Sequence, residues 1–92
     1  MYKIRPSVIF QKNIKRLQRR EYNLSLLIDI LKLLADGKAL PSKHKDYRLN
    51  GNYKGCRECH ITLDWILIYE ISNGDLILHL TRIRTHSDLF SL

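Results

Sequence analysis

Glu58, His60, Asp64 and His86 are the residues of this chain best suited to moving protons, and Arg82 and Arg84 stand close to one of them in sequence. Alternation along a strand puts Glu58 and His60 on one face, with Cys56 and Thr62. If the last strand runs unbroken, Leu76, Leu78 and Leu80 share a face with Arg82, Arg84 and His86, so one face starts in the core and ends as a basic, titratable surface. Asp64 falls at the bend between two strands that approach this region. Such a set suits metal-free phosphodiester chemistry. A base takes the proton of a nucleophilic hydroxyl, an acid protonates the leaving oxygen, and arginine stabilises charge on the phosphorane. The same residues also fit a solvated sheet end with ordinary surface histidines.

Two other constellations compete. Cys56-Arg57-Glu58-Cys59-His60 matches the C-x-x-C-H pattern of covalent haem attachment. On a strand its two thiols point to opposite faces, which separates them as ligands or redox partners. His44, His60, His79 and His86 show no H-x-x-x-H or H-E-x-x-H spacing, and a single Cys pair cannot close a structural zinc site. The expectation is no haem, no metal and no other cofactor.

The elements that position these residues are legible in outline. Met1 to Arg5 alternates weakly and reads as a short strand. Ser7 is a plausible N-cap for a helix to about Arg20, with Phe10, Ile14 and Leu17 on one stripe. Asn23 caps a second helix that ends at Gly37; its polar stripe of Ser25, Asp29, Lys32 and Asp36 is narrow, so this helix should be the buried one. From Pro41 the period changes to two. Strands are expected at Arg48 to Asn52, Cys56 to Thr62, Trp65 to Ile71 and Leu76 to Thr85, with a type I′ turn at Asn73-Gly74. The expected fold is α+β, an N-terminal strand and a two-helix hairpin packed on a small antiparallel sheet.

Ninety-two residues suffice for one domain, taken as 1–92, and not for two. Sixteen cations face nine acids, giving a net charge of +7, and seven of those cations lie in residues 1–20 without an acid among them. Lys12, Lys15, Arg16 and Arg19 project from the face opposite the apolar stripe, a surface for RNA or an acidic partner if it is more than a solvated face. Lys3, Arg5 and Pro6 break any leader-like apolar run, and no stretch approaches the roughly 20 apolar residues of a membrane span. The chain reads as cytoplasmic, soluble and reduced.

The order of several short motifs adds to this. Lys45-Asp46-Tyr47-Arg48-Leu49, Gly51, Tyr53-Lys54-Gly55, Arg57-Glu58-Cys59-His60-Ile61, Asp64-Trp65-Ile66-Leu67-Ile68-Tyr69, and Arg82 followed by Thr85-His86-Ser87-Asp88-Leu89-Phe90 closely resemble the YafQ branch of the RelE/ParE toxin superfamily of bacterial toxin–antitoxin systems. The resemblance implies a RelE-like fold and a ribosome-dependent endoribonuclease that cuts translated mRNA in the A site. In such toxins the substrate's 2′-hydroxyl attacks the adjacent phosphate, leaving a 2′,3′-cyclic phosphate, with no metal or cofactor. By motif, His86 is the leading acid or base, and His60, Asp64 and Glu58 match the other catalytic positions. Arg82 would contact the phosphate, Phe90 a base, and Tyr47, Lys45 and Lys54 the substrate.

Tyr47 stands where this branch commonly has histidine, and His44 could substitute only if its loop folds back. Arg84 stands where the branch usually has glycine. The partners implied are the ribosome, mRNA and a small acidic antitoxin, a ribbon-helix-helix dimer in a heterotetramer. Two alternatives are a gyrase-inhibiting ParE-like toxin and a non-enzymatic basic binding module.

Overall fold

The computed structural model describes residues 1–84. Its elements run β1 (Lys3–Pro6), α1 (Val8–Arg19), α2 (Leu24–Ala35), β2 (Tyr47–Arg48), β3 (Arg57–His60), β4 (Trp65–Ser72) and β5 (Asp75–Ile83), with short 3₁₀ turns at Ser42–His44 and Gly51–Tyr53. The sheet order is β1-β5-β4-β3-β2. β2 to β5 are antiparallel neighbours as expected, whereas β1 adds to β5 in parallel, so the sheet is mixed. The two helices carry the chain from β1, at one edge of the sheet, to β2, at the other, and β3, β4 and β5 then return strand by strand until β5 lies alongside β1. Parallel neighbours need such a long connection, which a hairpin could not supply.

Local chemistry sets the helix ends. Ser7 Oγ accepts the Phe10 amide at 3.0 Å and donates to the His79 carbonyl at 2.5 Å, tying the start of α1 to β5. Asn23 Oδ1 accepts the Ser25 amide at 3.1 Å. At the end of α2, Gly37 takes φ +72°, and the Lys38 and Gly37 amides bond the Leu33 and Leu34 carbonyls, a Schellman closure. Asn73 and Gly74 both have positive φ, as the type I′ turn requires.

The core lies between the helices and one face of the sheet. Phe10 and Leu17 of α1, and Leu27, Ile30, Leu34 and Ala35 of α2, pack on Cys59, Ile61, Trp65, Leu67, Tyr69, Leu76 and Leu78. Tyr22, between the helices, meets the Trp65 ring edge-on at 5.4 Å. α2 is not the wholly buried helix its composition suggested: Leu26 and Ile28 are exposed. One sheet face five strands wide can cover only one side of each helix.

The unbroken last strand is also corrected. The register shifts at Ile68/Tyr69, whose partners are Leu80 and Leu78, so His79 is an extra residue in β5. This bulge reverses the alternation. Leu76 and Leu78 face the helices, while Leu80 and Arg82 pair with Ile68 and Ile66 on the other face. Among the described residues no helix is long and apolar enough to cross a membrane.

Candidate active site

The sheet face away from the helices carries the polar cluster, and Glu58 is its centre. Pairing aligns Tyr47 with Glu58, Glu58 with Ile68, and Ile68 with Leu80, so β2, β3, β4 and β5 deliver one row. Glu58 is fully buried, and a buried carboxylate needs partners. It has four. The Tyr47 hydroxyl donates to Oε2, and Arg84 Nη2 donates to Oε1 at 3.1 Å. Arg82 Nη2 stands 3.6 Å from Oε1, and His60 Nε2 stands 3.8 Å from Oε2.

The ring orientation of His60 follows from its neighbours. Nδ1 lies 3.2 Å from the Leu63 carbonyl, which can only accept, so Nδ1 carries a proton and Nε2 faces Glu58. The loop before β2 does fold back: His44 Nδ1 donates to the His60 carbonyl at 2.7 Å. His44 thereby joins His60 in lining a groove of about 510 Å³ with Leu26, Leu33 and Leu63. The hydrogen bond to Glu58, then partial burial, raises the Tyr47 pKa above its ordinary value. Tyr47 is therefore a hydrogen-bond donor at neutral pH.

Asp64 sits apart from this ring, at the exposed bend between β3 and β4. Its Oδ1 accepts from Thr62 Oγ1 at 3.0 Å, and its carbonyl accepts the Arg84 amide at 2.8 Å. It thus fixes the backbone that aims Arg84. Lys45 and Lys54 are exposed, and neither pairs with Glu58 among the described residues. His86 and Phe90 lie outside the described residues.

Lys12, Lys15, Arg16 and Arg19 all project to solvent from α1. Arg16 and Arg20 line, with Arg82, a cleft of about 290 Å³ between α1 and the end of β5. The basic helix face and the arginine end of the sheet are therefore continuous. Cys56 and Cys59 are both free thiols, Cys59 in the helix-side core and Cys56 beside Glu70 on the other face. Burial pushes the Cys59 thiol up to about 12.

Arg84, placed with Arg82 by its even spacing, makes the shorter of the two arginine contacts to Glu58. Sequence reasoning missed one residue. Asp46 was no candidate, but both its oxygens accept from the Tyr69 hydroxyl at 2.8 Å, and its Oδ1 also accepts from Arg57 Nε at 3.0 Å. That network anchors the loop that delivers Tyr47.

Residues 2–91 match the family model described as the bacterial toxin of type II toxin–antitoxin system, YafQ. The mRNA interferase toxin YafQ of Escherichia coli K12 is 37% identical over 82 residues, covering 88% of this chain and 87% of that protein. The E. coli DinJ-YafQ complex contains a chain with TM-score 0.83 and 33% identity, covering 98% of this chain and 99% of that one. A metal-bound toxin from Helicobacter pylori superposes with TM-score 0.85 at 36% identity, covering 98% of this chain and 100% of that one. The chain belongs to the YafQ family of bacterial toxins of type II toxin–antitoxin systems.

Proposed function

We propose that this toxin is a ribosome-dependent endoribonuclease that cuts translated mRNA in the A site, with the RNA's own 2′-hydroxyl as nucleophile. The observation that carries the reading is the convergence of Arg82, Arg84, Tyr47 and His60 on buried Glu58, in a family that includes a named mRNA interferase. Both Glu58 oxygens are engaged, so its part is to hold the arginines and the phenol in place. Arg82, the more exposed guanidinium, then meets the scissile phosphate, and Arg84 adds positive charge behind it. His86 and His60 divide the proton transfers, an imidazole being able to accept and donate near neutral pH. Asp64 contributes the exposed carboxylate at the mouth of the site. Tyr47, Lys45, Lys54 and Phe90 contact the RNA, and the α1 cations guide it from the ribosome. The chemistry draws on side chains alone.

Its partner in the resting cell is an acidic antitoxin, of ribbon-helix-helix type in a heterotetramer. The exposed Val8 and Ile9 of α1 beside the basic face offer such a partner both apolar and charged contacts. The site of action is the cytoplasm, where translating ribosomes are.

Incubating the protein with translating ribosomes tests the reading. Site-specific cuts ending in a 2′,3′-cyclic phosphate are expected. Intact mRNA with blocked supercoiling would instead make the chain a gyrase inhibitor, and neither effect would leave a binding module. Within the enzyme reading, His86→Ala should lower cleavage by about 10²–10⁴-fold, the usual contribution of a positioned acid or base. A His86→Ala protein with full activity would remove it from the mechanism.

A further inference from the structure

Cys56, Glu70 and His79 meet on the open face of the sheet, on the side of the Glu58–Ile68–Leu80 row away from Arg82. Cys56 Sγ lies 4.0 Å from Glu70 Oε1, His79 Nε2 lies 2.9 Å from the same oxygen, and the three ligand atoms are all within 4.8 Å of one another. No other such grouping of His, Cys, Asp and Glu occurs among the described residues. We propose that these three side chains form a binding site for one borderline-soft divalent cation, with Zn²⁺ the best fit. Thiolate, imidazole and carboxylate are its usual protein ligands.

The geometry is close to what the ion needs. Tetrahedral zinc with its ordinary bond lengths sets ligand atoms about 3.3–3.6 Å apart. The carboxylate oxygen must move away from the imidazole and toward the thiol by less than an ångström. The thiol and the imidazole, within 4.8 Å of each other, must close to the same spacing. As the ion enters, the Cys56 thiol releases its proton to solvent, the proton that His79 Nε2 directs at Glu70 leaves that nitrogen so that the ring becomes the neutral Nδ1–H tautomer, and sulfur–metal and nitrogen–metal bonds form. Cys56 is buried, while the Glu70 and His79 side chains are about one-third exposed, which leaves an entrance and room for a water as fourth ligand.

Glu70 of β4 and His79 of β5 supply two of the ligands and Cys56, the residue just before β3, the third, and the β5 bulge is what lets His79 share a face with Leu80 and Arg82. Without an ion, the grouping is a part-exposed imidazole–carboxylate hydrogen bond beside a thiol that makes only a long contact. With one, the start of β3, the middle of β4 and the bulge of β5 become cross-linked. Glu58 does not compete, because Tyr47 and Arg84 already occupy its oxygens.

Cobalt(II) provides the direct probe on the metal-free full-length protein. One equivalent should produce thiolate-to-cobalt charge-transfer absorption, Zn²⁺ should abolish it by displacement, and Zn²⁺ should raise the melting temperature. Cys56→Ser should lose the absorption. His79→Gln, at a part-exposed position that tolerates the change, should weaken Zn²⁺ binding by more than the roughly 10–100-fold that outer-sphere partners of a metal site cost. Cys59→Ala should keep the absorption. A wild-type protein without the cobalt–thiolate band overturns the site, as does a His79→Gln variant that binds as tightly as wild type. These readouts do not involve RNA cleavage, so they stand whatever the toxin's reaction proves to be.

Discussion

Glu58 shows how one buried charge organises several exposed ones. It has no solvent of its own, so Arg82, Arg84, Tyr47 and His60 supply its surroundings, and it in turn holds them at fixed positions. Glu58→Gln keeps the shape and removes the charge. Its expected cost is about 1–3 kcal/mol of stability, the scale of losing hydrogen bonds to a charged group. Cleavage should fall further than that loss explains, because both arginines come loose; urea titration beside single-turnover cleavage separates the two effects. Tyr47→Phe tests the phenol. The Tyr47 pKa is raised in the fold, so its contribution is complete below the unfolded value near 10 and fades as pH rises through the folded value. The stability gap between wild type and Tyr47→Phe should therefore be flat from pH 6 to about 9 and shrink above about 10, as urea melts across that range would report. A gap that widened at alkaline pH would contradict the hydrogen bond.

At the scale of elements, the features written into short stretches were legible and those set by neighbours were not. Ser7, Asn23, Gly37 and Asn73-Gly74 act through their own backbone, and each does in the fold what its residue type implies. The convergence of Glu58 and His60 on one face needed only alternation. The bulge at His79 is different, because an extra residue is defined only against the partner strand β4. Parallel addition of four residues of β1 to β5 has no local signal at all, and neither does the fold-back of His44 onto β3. Which apolar side of α2 faces inward also depends on the sheet. That division predicts two unequal substitutions. Ile30→Ala, in the core, should cost about 2–5 kcal/mol, whereas Ile28→Ala, on the exposed side, should stay within about 0.5 kcal/mol. Equal costs in thermal or urea melts would mean that Ile28 is covered in the free protein.

Over the whole molecule, charge is distributed by length of chain: seven cations and no acid in the first twenty residues, and balance thereafter. α1 presents this excess next to Arg82, so one continuous basic track runs from helix to site. Reversing Lys12, Arg16 and Arg19 to glutamate together should weaken ribosome binding, and should flatten its dependence on salt, since fewer counterions are released. Association with an acidic antitoxin should likewise slow as salt rises, with the equilibrium affinity changing less. Unchanged cleavage by the triple variant at physiological salt would make the track an ordinary solvated face. Chelation gives a further check at this scale. Well below the melting transition, EDTA should leave the cleavage rate as it was, because the proposed chemistry uses side chains; a lost rate restored by Zn²⁺ would contradict it.

The parallel pairing of β1 with β5 has a consequence in time. β5 lies between β1 and β4 in the sheet, yet it is synthesised after both. A growing chain therefore carries an N-terminal strand with no neighbour, a helical pair without Leu76 and Leu78 to pack on, and a Glu58 without Arg82 and Arg84. None of these deficits can be repaired by the residues already made. On the proposed mechanism, a polypeptide interrupted before β5 lacks Arg82, Arg84 and His86 together and should cut no mRNA, so activity waits for the end of synthesis.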